Sequence, residues 1–121
     1  MVAVDDEPAT RRLLELTLVK LGGCRARLAS TGTEVLAILA ALDAPPDLVL
    51  LDAMLPDMDG LALLREVRAR LGPTTPIAIL SAATADELGW ALPEDRRLRW
   101  LRKPFRPANL LAELRELTAG A

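Results

Sequence analysis

The chain has 121 residues, 51% of them hydrophobic, and a formal net charge of −2. That is enough for one buried core, argues against disorder and leaves no basic stripe for a nucleic-acid backbone. Histidine is absent and cysteine occurs once, which excludes His-based triads, His-ligated zinc, an internal disulfide and any phosphohistidine carried by this chain.

No apolar run approaches the roughly 18 residues of a membrane span, and the first residues lead into a strand rather than a signal peptide. A soluble, reducing, cytoplasmic setting is expected, with no membrane and no direct nucleic-acid partner.

In chain order, Val2-Ala3-Val4 reads as a buried strand that ends on the acidic pair Asp5-Asp6. Pro8 suits the first turn of a helix, with Asp6 or Glu7 available as its cap. Leu14, Leu18 and Leu21 share one face of that helix, and Gly22-Gly23 closes it. Cys24 to Ala29 alternates Arg25 and Arg27 with smaller residues and is the weakest strand, expected at a sheet edge with Cys24 buried.

Thr31 caps a second helix with Val35, Leu39 and Leu42 on its apolar face. Asp47-Leu48-Val49-Leu50-Leu51 is a third strand, ending on Asp52. Leu64, Val67 and Leu71 mark the next helix, and Ile77-Ala78-Ile79-Leu80 is a strand ending on Ser81. A short helix is expected near Ala85 to Ala91, interrupted by Gly89, Pro93 and the charged run Glu94-Asp95-Arg96-Arg97. The last strand, Leu98 to Arg102, runs into Lys103-Pro104, and Pro107 opens a final helix on Leu110, Leu114 and Leu117. Five strands alternating with five helices predict an α/β fold, a parallel sheet with helices on both faces, built as a single domain over 1–121.

Parallel strands place Asp5-Asp6, Asp52, Ser81 and Lys103 on one edge of the sheet, where open α/β sheets bind ligands. Each residue also has a purely structural role to offer. Asp52 could cap the following turn, Asp5-Asp6 could favour a helix N-terminus, Lys103 could pair with Asp52, and Ser81 could close a turn. Together they read differently. Carboxylates about 4 Å apart repel by roughly 4 kcal/mol at an effective dielectric of about 20, so the acids call for a cation. An all-oxygen donor set suits Mg²⁺ first and Mn²⁺ second. Lys103 is one of two lysines among fifteen basic residues, and its compact charge on a flexible stem suits a phosphoryl oxygen or a carboxylate that moves. The sequence leaves the Lys103–Pro104 peptide open between cis and trans.

Asp5-Asp6-Glu7-Pro8, Leu50-Leu51-Asp52-Ala53-Met54-Leu55-Pro56-Asp57-Met58-Asp59-Gly60, Ile79-Leu80-Ser81-Ala82 and Lys103-Pro104-Phe105 follow one another in an order and spacing that resembles the receiver domain of two-component response regulators. The resemblance spans essentially the whole chain. It implies a doubly wound, flavodoxin-like sheet of order 2-1-3-4-5 and a phosphoacceptor role for Asp52. It further implies Mg²⁺ held by Asp6 directly, by Asp5 mostly through water, by Asp52 and by the Met54 backbone carbonyl. Lys103 and Ser81 would hold phosphoryl oxygens, and Trp100 would stand where the family's switch aromatic turns inward.

The implied partners are a sensor histidine kinase or phosphotransfer protein on one side and an effector or fused output domain on the other. The chain would then be a signalling switch with only weak phosphotransfer activity of its own. It departs from the family in carrying tryptophan at position 100, where fixed packing or partner contact competes with rotation. It departs again in the charged turn before the last strand, and in Glu113 where DNA-binding relatives commonly pair through arginine. Met54 and Ala83 occupy the positions that tune phosphate loss, and neither orients water. Two alternatives remain. A haloacid-dehalogenase-like phosphatase would call for an aspartate two residues past Asp52, where Met54 stands. A phosphorylation-independent receiver-like interaction module would keep the fold but lose the acids or the lysine.

Overall fold

A computed structural model describes residues 1–92 and 95–119. Five parallel strands, β1 (Val2–Val4), β2 (Arg27–Ala29), β3 (Val49–Asp52), β4 (Ile77–Ser81) and β5 (Leu98–Arg102), form one sheet in the order β2-β1-β3-β4-β5. The helices between them are α1 (Pro8–Glu15), α2 (Gly32–Ala41), α3 (Gly60–Leu71), α4 (Ala85–Leu88) and α5 (Pro107–Ala119). Side chains alternate across each strand, so one continuous apolar run feeds two cores. Ala3, Leu48, Leu50, Ala78 and Leu80 pack with Leu14 and Leu18 and with Leu110, Leu114 and Leu117 of α5. On the other face Val2, Val4, Val49, Leu51, Ile77 and Ile79 pack with α2 and α3 through Val35, Leu39, Leu63 and Val67.

Several local expectations are corrected. The first helix continues past Glu15 as a π-helical turn, Leu16–Leu21, in which Gly22 N–H reaches the Thr17 carbonyl at 2.9 Å. The wider turn rotates Leu21 off the buried face, leaving it 63% exposed although it shares an α-helical stripe with Leu14 and Leu18. Neither Asp6 nor Glu7 caps α1 with its side chain. Glu7 is the cap residue, but its carboxylate takes the Thr10 hydroxyl at 2.9 Å and its own N–H donates to Asp5 Oδ1. The edge strand β2 begins only at Arg27, because a turn through Gly23 at φ +66° occupies the residues before it. Cys24 therefore lies in the connection, half-buried rather than buried.

Thr31 caps α2 as expected, accepting from Glu34 N–H at 3.1 Å. The fourth helix is a single turn, held by a reciprocal Thr84–Glu87 cap and stopped by Gly89 in the left-handed region, so it ends three residues before Ala91. The interruption expected at Pro93 and Glu94 lies outside the described residues. No helix among the described residues is long and apolar enough to cross a membrane.

The connection from β3 to α3 folds back on itself through a bridge between Met54 and Asp59. This close return requires Gly60. A Cβ there would be driven into the Ala53 carbonyl oxygen and would meet the Trp90 ring at 2.9 Å. Gly60→Ala should therefore lower stability by about 1–3 kcal/mol. Equilibrium urea unfolding measures this, and an unchanged midpoint would show that the loop is looser than described.

Candidate functional site

The β1 and β3 crossovers leave the sheet in opposite directions, to β2 and to β4, so a crevice opens between the carboxyl ends of β1 and β3. Asp5 follows β1 directly and is fully buried; Asp52 is the last residue of β3 and is also buried. Lys103 enters from just past β5, where its N–H donates to the Ser81 carbonyl at 2.8 Å. Its ammonium reaches Asp5 Oδ2 at 2.7 Å and Asp52 Oδ2 at 3.2 Å. The remaining oxygens are also engaged: Asp5 Oδ1 accepts from Glu7 N–H at 2.9 Å, and Asp52 Oδ1 accepts from Met54 N–H at 3.0 Å. Arg11 Nη1 donates to the Asp5 carbonyl at 2.9 Å, which ties α1 to the rim.

Asp6 is exposed, yet one carboxylate oxygen each from Asp5, Asp6 and Asp52 lie within 4.8 Å of one another. Three carboxylates against the one Lys103 ammonium leave two negative charges. An all-oxygen cluster with that residual charge fits a hard divalent cation. Burial pushes the Asp52 carboxyl up to about 6, and the charge of Asp5 adds to the rise; the Met54 amide and the Lys103 ammonium offset part of it. For Lys103, burial works against the ammonium, but the hydrogen bond to Asp5 and the charges of Asp52 and Asp5 outweigh it. Its basicity is held above the ordinary lysine value.

The Lys103–Pro104 peptide is cis. Ser81 closes β4, one residue past the Asp52–Leu80 register pair, and its buried hydroxyl accepts from Ala83 N–H at 3.0 Å. Trp100 stands farther back on β5. Its indole N–H donates to the Ala83 carbonyl at 3.0 Å, and its ring meets Trp90 edge-on with centroids 5.3 Å apart. The Met54 side chain projects outward, 65% exposed. The structure thus brings Asp5, Asp6, Asp52 and Lys103 into contact range and sets Ser81 beside them, while Trp100 is bonded to the loop that follows Ser81 and packs on Trp90 rather than on the acids. Sequence reasoning missed Trp90 and Asp57. Trp90 carries no spacing signal, and Asp57 is hydrogen-bonded to the start of α2, a contact no local pattern announces.

A family model described as the response regulator receiver domain matches residues 1–115. The chain belongs to that family. The receiver domain is 36% identical over 115 residues to the transcriptional regulatory protein KdpE of Mycobacterium tuberculosis, covering 95% of this chain and 49% of that protein. It therefore spans about half the length of that curated relative. Among solved structures, the chemotaxis protein CheY4 of Vibrio cholerae superposes with a TM-score of 0.78 at 28% identity, over 96% of this chain and 95% of that one. The receiver domain of sensor histidine kinase PA1611 from Pseudomonas aeruginosa, solved with magnesium coordinated in its active site cleft, does so with a TM-score of 0.80 at 28% identity, over 98% and 95%. The chain is thus a receiver domain of two-component signalling, the kind of domain that acts as a signalling switch.

The raised Asp52 carboxyl makes stability depend on pH in a defined direction. Its folded value of about 6 lies above the ordinary 3.8, so the folded state holds the proton more tightly. That contribution is fully present below the ordinary value and is lost as pH rises through the folded value. Asp52→Asn keeps the acceptor for Met54 N–H and cannot ionise. It should therefore be more stable than the parent above pH 6, by on the order of 2 kcal/mol, with the gap closing toward pH 4. Urea melts across that range report it, and a constant gap would contradict the burial of an ionisable Asp52.

Proposed function

We propose that Asp52 accepts a phosphoryl group from a phosphohistidine of a sensor histidine kinase or phosphotransfer protein and so switches a protein-interaction surface. The observation that carries this reading is the single, half-buried ammonium of Lys103 bonded to both Asp5 and Asp52. A carboxylate that must receive a phosphoryl group needs a cation already beside it, and Lys103 can exchange its longer bond to Asp52 for one to a phosphoryl oxygen.

In the transfer, an Asp52 carboxylate oxygen forms the new bond to phosphorus while the bond from phosphorus to the partner's imidazole nitrogen breaks, with the electron pair leaving on that nitrogen. Asp52, with its carboxyl near 6, is mostly ionised at neutral pH and ready as the nucleophile. Asp5, Asp6 and Asp52 with the Met54 backbone carbonyl would hold Mg²⁺, or Mn²⁺ in its place. The ion would neutralise charge gathering on the phosphoryl oxygens. Lys103 holds one phosphoryl oxygen in place. Ser81 holds another, because its hydroxyl can keep accepting from Ala83 N–H while donating its proton.

Drawing Ser81 toward Asp52 moves Ala83, and with it the acceptor of the Trp100 indole N–H. Trp100 in turn bears on Trp90, so the event at Asp52 reaches the surface around α4 and β5. Residues 1–121 act as one such domain in the cytoplasm. Its downstream partner is an effector protein or a fused output domain, and the receiver itself contacts neither nucleic acid nor membrane.

Both tryptophans of the chain lie on this route, so intrinsic fluorescence reads the switch. Mg²⁺ with beryllofluoride, a phosphoryl mimic, should change the emission of the parent and leave Asp52→Asn unchanged. An equal response in both, or none in either, would favour a phosphorylation-independent module. Since Met54 and Ala83 bring no water-orienting group, the acyl phosphate should also decay slowly once formed. Loss of the label within seconds in purified protein with Mg²⁺ would overturn that expectation.

A further inference from the structure

Residues 53–59 connect the phosphoacceptor strand to α3 and carry Met54. The inner end of this loop is fixed by Ala53 N–H on the Leu80 carbonyl at 3.0 Å and by Met54 N–H on Asp52 Oδ1 at 3.0 Å. Its outer end is fastened elsewhere, to the start of α2. Asp57 Oδ1 accepts from Gly32 N–H at 2.9 Å, and Asp57 Oδ2 accepts from Thr33 N–H at 3.0 Å and from the Thr33 hydroxyl at 2.8 Å. Beside it the Met58 side chain lies so close over Gly32 that a Cβ there would be driven into it.

The helix does not depend on Asp57 for its main cap. Thr31 accepts from Glu34 N–H at 3.1 Å, and the Glu34 carboxylate returns to Ser30 N–H at 3.0 Å and to the Ser30 hydroxyl at 3.1 Å. Asp57 takes the two first-turn amides that this cap leaves over. The same three donors hold its carboxyl below the ordinary aspartate value although the side chain is exposed. The loop, on the other hand, has its outer anchor here. The Met54–Asp59 bridge closes it into a narrow return, so a fixed Asp57 limits the travel of Met54 on the opposite arm.

We propose that Asp57 is a positioning residue of the metal site: by fastening the tip of the 53–59 loop to the first turn of α2, it holds the Met54 backbone where its carbonyl can serve the cation. The proposal rests on the ligand set given above under the proposed function. It makes the Asp57 clasp on the Gly32 and Thr33 amides part of the site's scaffold, so that loss of the clasp is felt at the metal although no residue of α2 touches it.

The test compares two ways of removing a cap from the same helix. Asp57→Ala frees the loop; Thr31→Ala weakens α2 from within and leaves the loop clasped. Calorimetric titration of the full chain with Mg²⁺ should show the dissociation constant rising about tenfold in Asp57→Ala, at the low end for loss of an outer-shell contact, and staying near the parent value in Thr31→Ala. Amide exchange at Met54 and Asp59 should quicken only in Asp57→Ala. Asp57→Asn keeps one acceptor oxygen and should fall between; it carries the comparison if the alanine variant does not fold. Parent-like Mg²⁺ affinity in the Asp57 variants, or equal weakening in Thr31→Ala, would overturn the positioning role while leaving the phosphoacceptor reading intact. A parent chain that binds no Mg²⁺ at all would sink both.

Discussion

One ammonium between two buried carboxylates is the constraint on which this molecule turns. Asp5 and Asp52 are drawn from strands far apart in sequence, and burying both without a counter-charge would cost several kcal/mol per ion. Lys103 arrives from the end of a third strand to meet them, so the site forms only when β1, β3 and β5 share one sheet in the observed order. The interaction still leaves the cluster short of positive charge. That deficit suits a divalent ion and a phosphoryl group arriving together, while burial, more than the neighbouring Asp5 charge, pushes the Asp52 carboxyl upward.

The fold serves this cluster by making its strands apolar up to the last residue. Val2 to Val4, Val49 to Leu51 and Ile77 to Leu80 are buried on both faces, and the first polar residue after each lands on the same rim. From there two paths lead outward. One runs through Ser81 and Ala83 to the edge-on pair of Trp100 and Trp90, and Trp90 also meets the start of α3 near Gly60. The other runs along the 53–59 loop to the first turn of α2. Beside the single turn of α4, the Trp90 and Trp100 indoles pack on each other against the core of the α2–α3 face.

Most of this was readable from residue order alone. Strands without a polar interruption require helices on both faces, and the acids, Ser81 and Lys103 close strands whose direction is forced by parallel pairing. The failures share a physical origin. An α-helical period and composition place Leu21 and Cys24 in the core, and the π turn with the Gly23 turn after it breaks both patterns. Asp6 and Glu7 looked like caps, but Asp5 already accepts the Glu7 amide, a bond invisible to a pattern of residue types. Asp57 belongs to a legible motif, yet its partners Gly32 and Thr33 lie at the start of α2, some 25 residues earlier, where only the folded chain reveals them.

The most direct trial of the account is a crystal structure of the chain with Mg²⁺ and beryllofluoride. Beryllium should be bonded to an Asp52 oxygen, with Mg²⁺ among Asp5, Asp6, Asp52 and the Met54 carbonyl, and Lys103 Nζ within hydrogen-bond distance of a fluoride. Density for the ion away from this crevice, or a Lys103 side chain that makes no contact with the adduct, would contradict it.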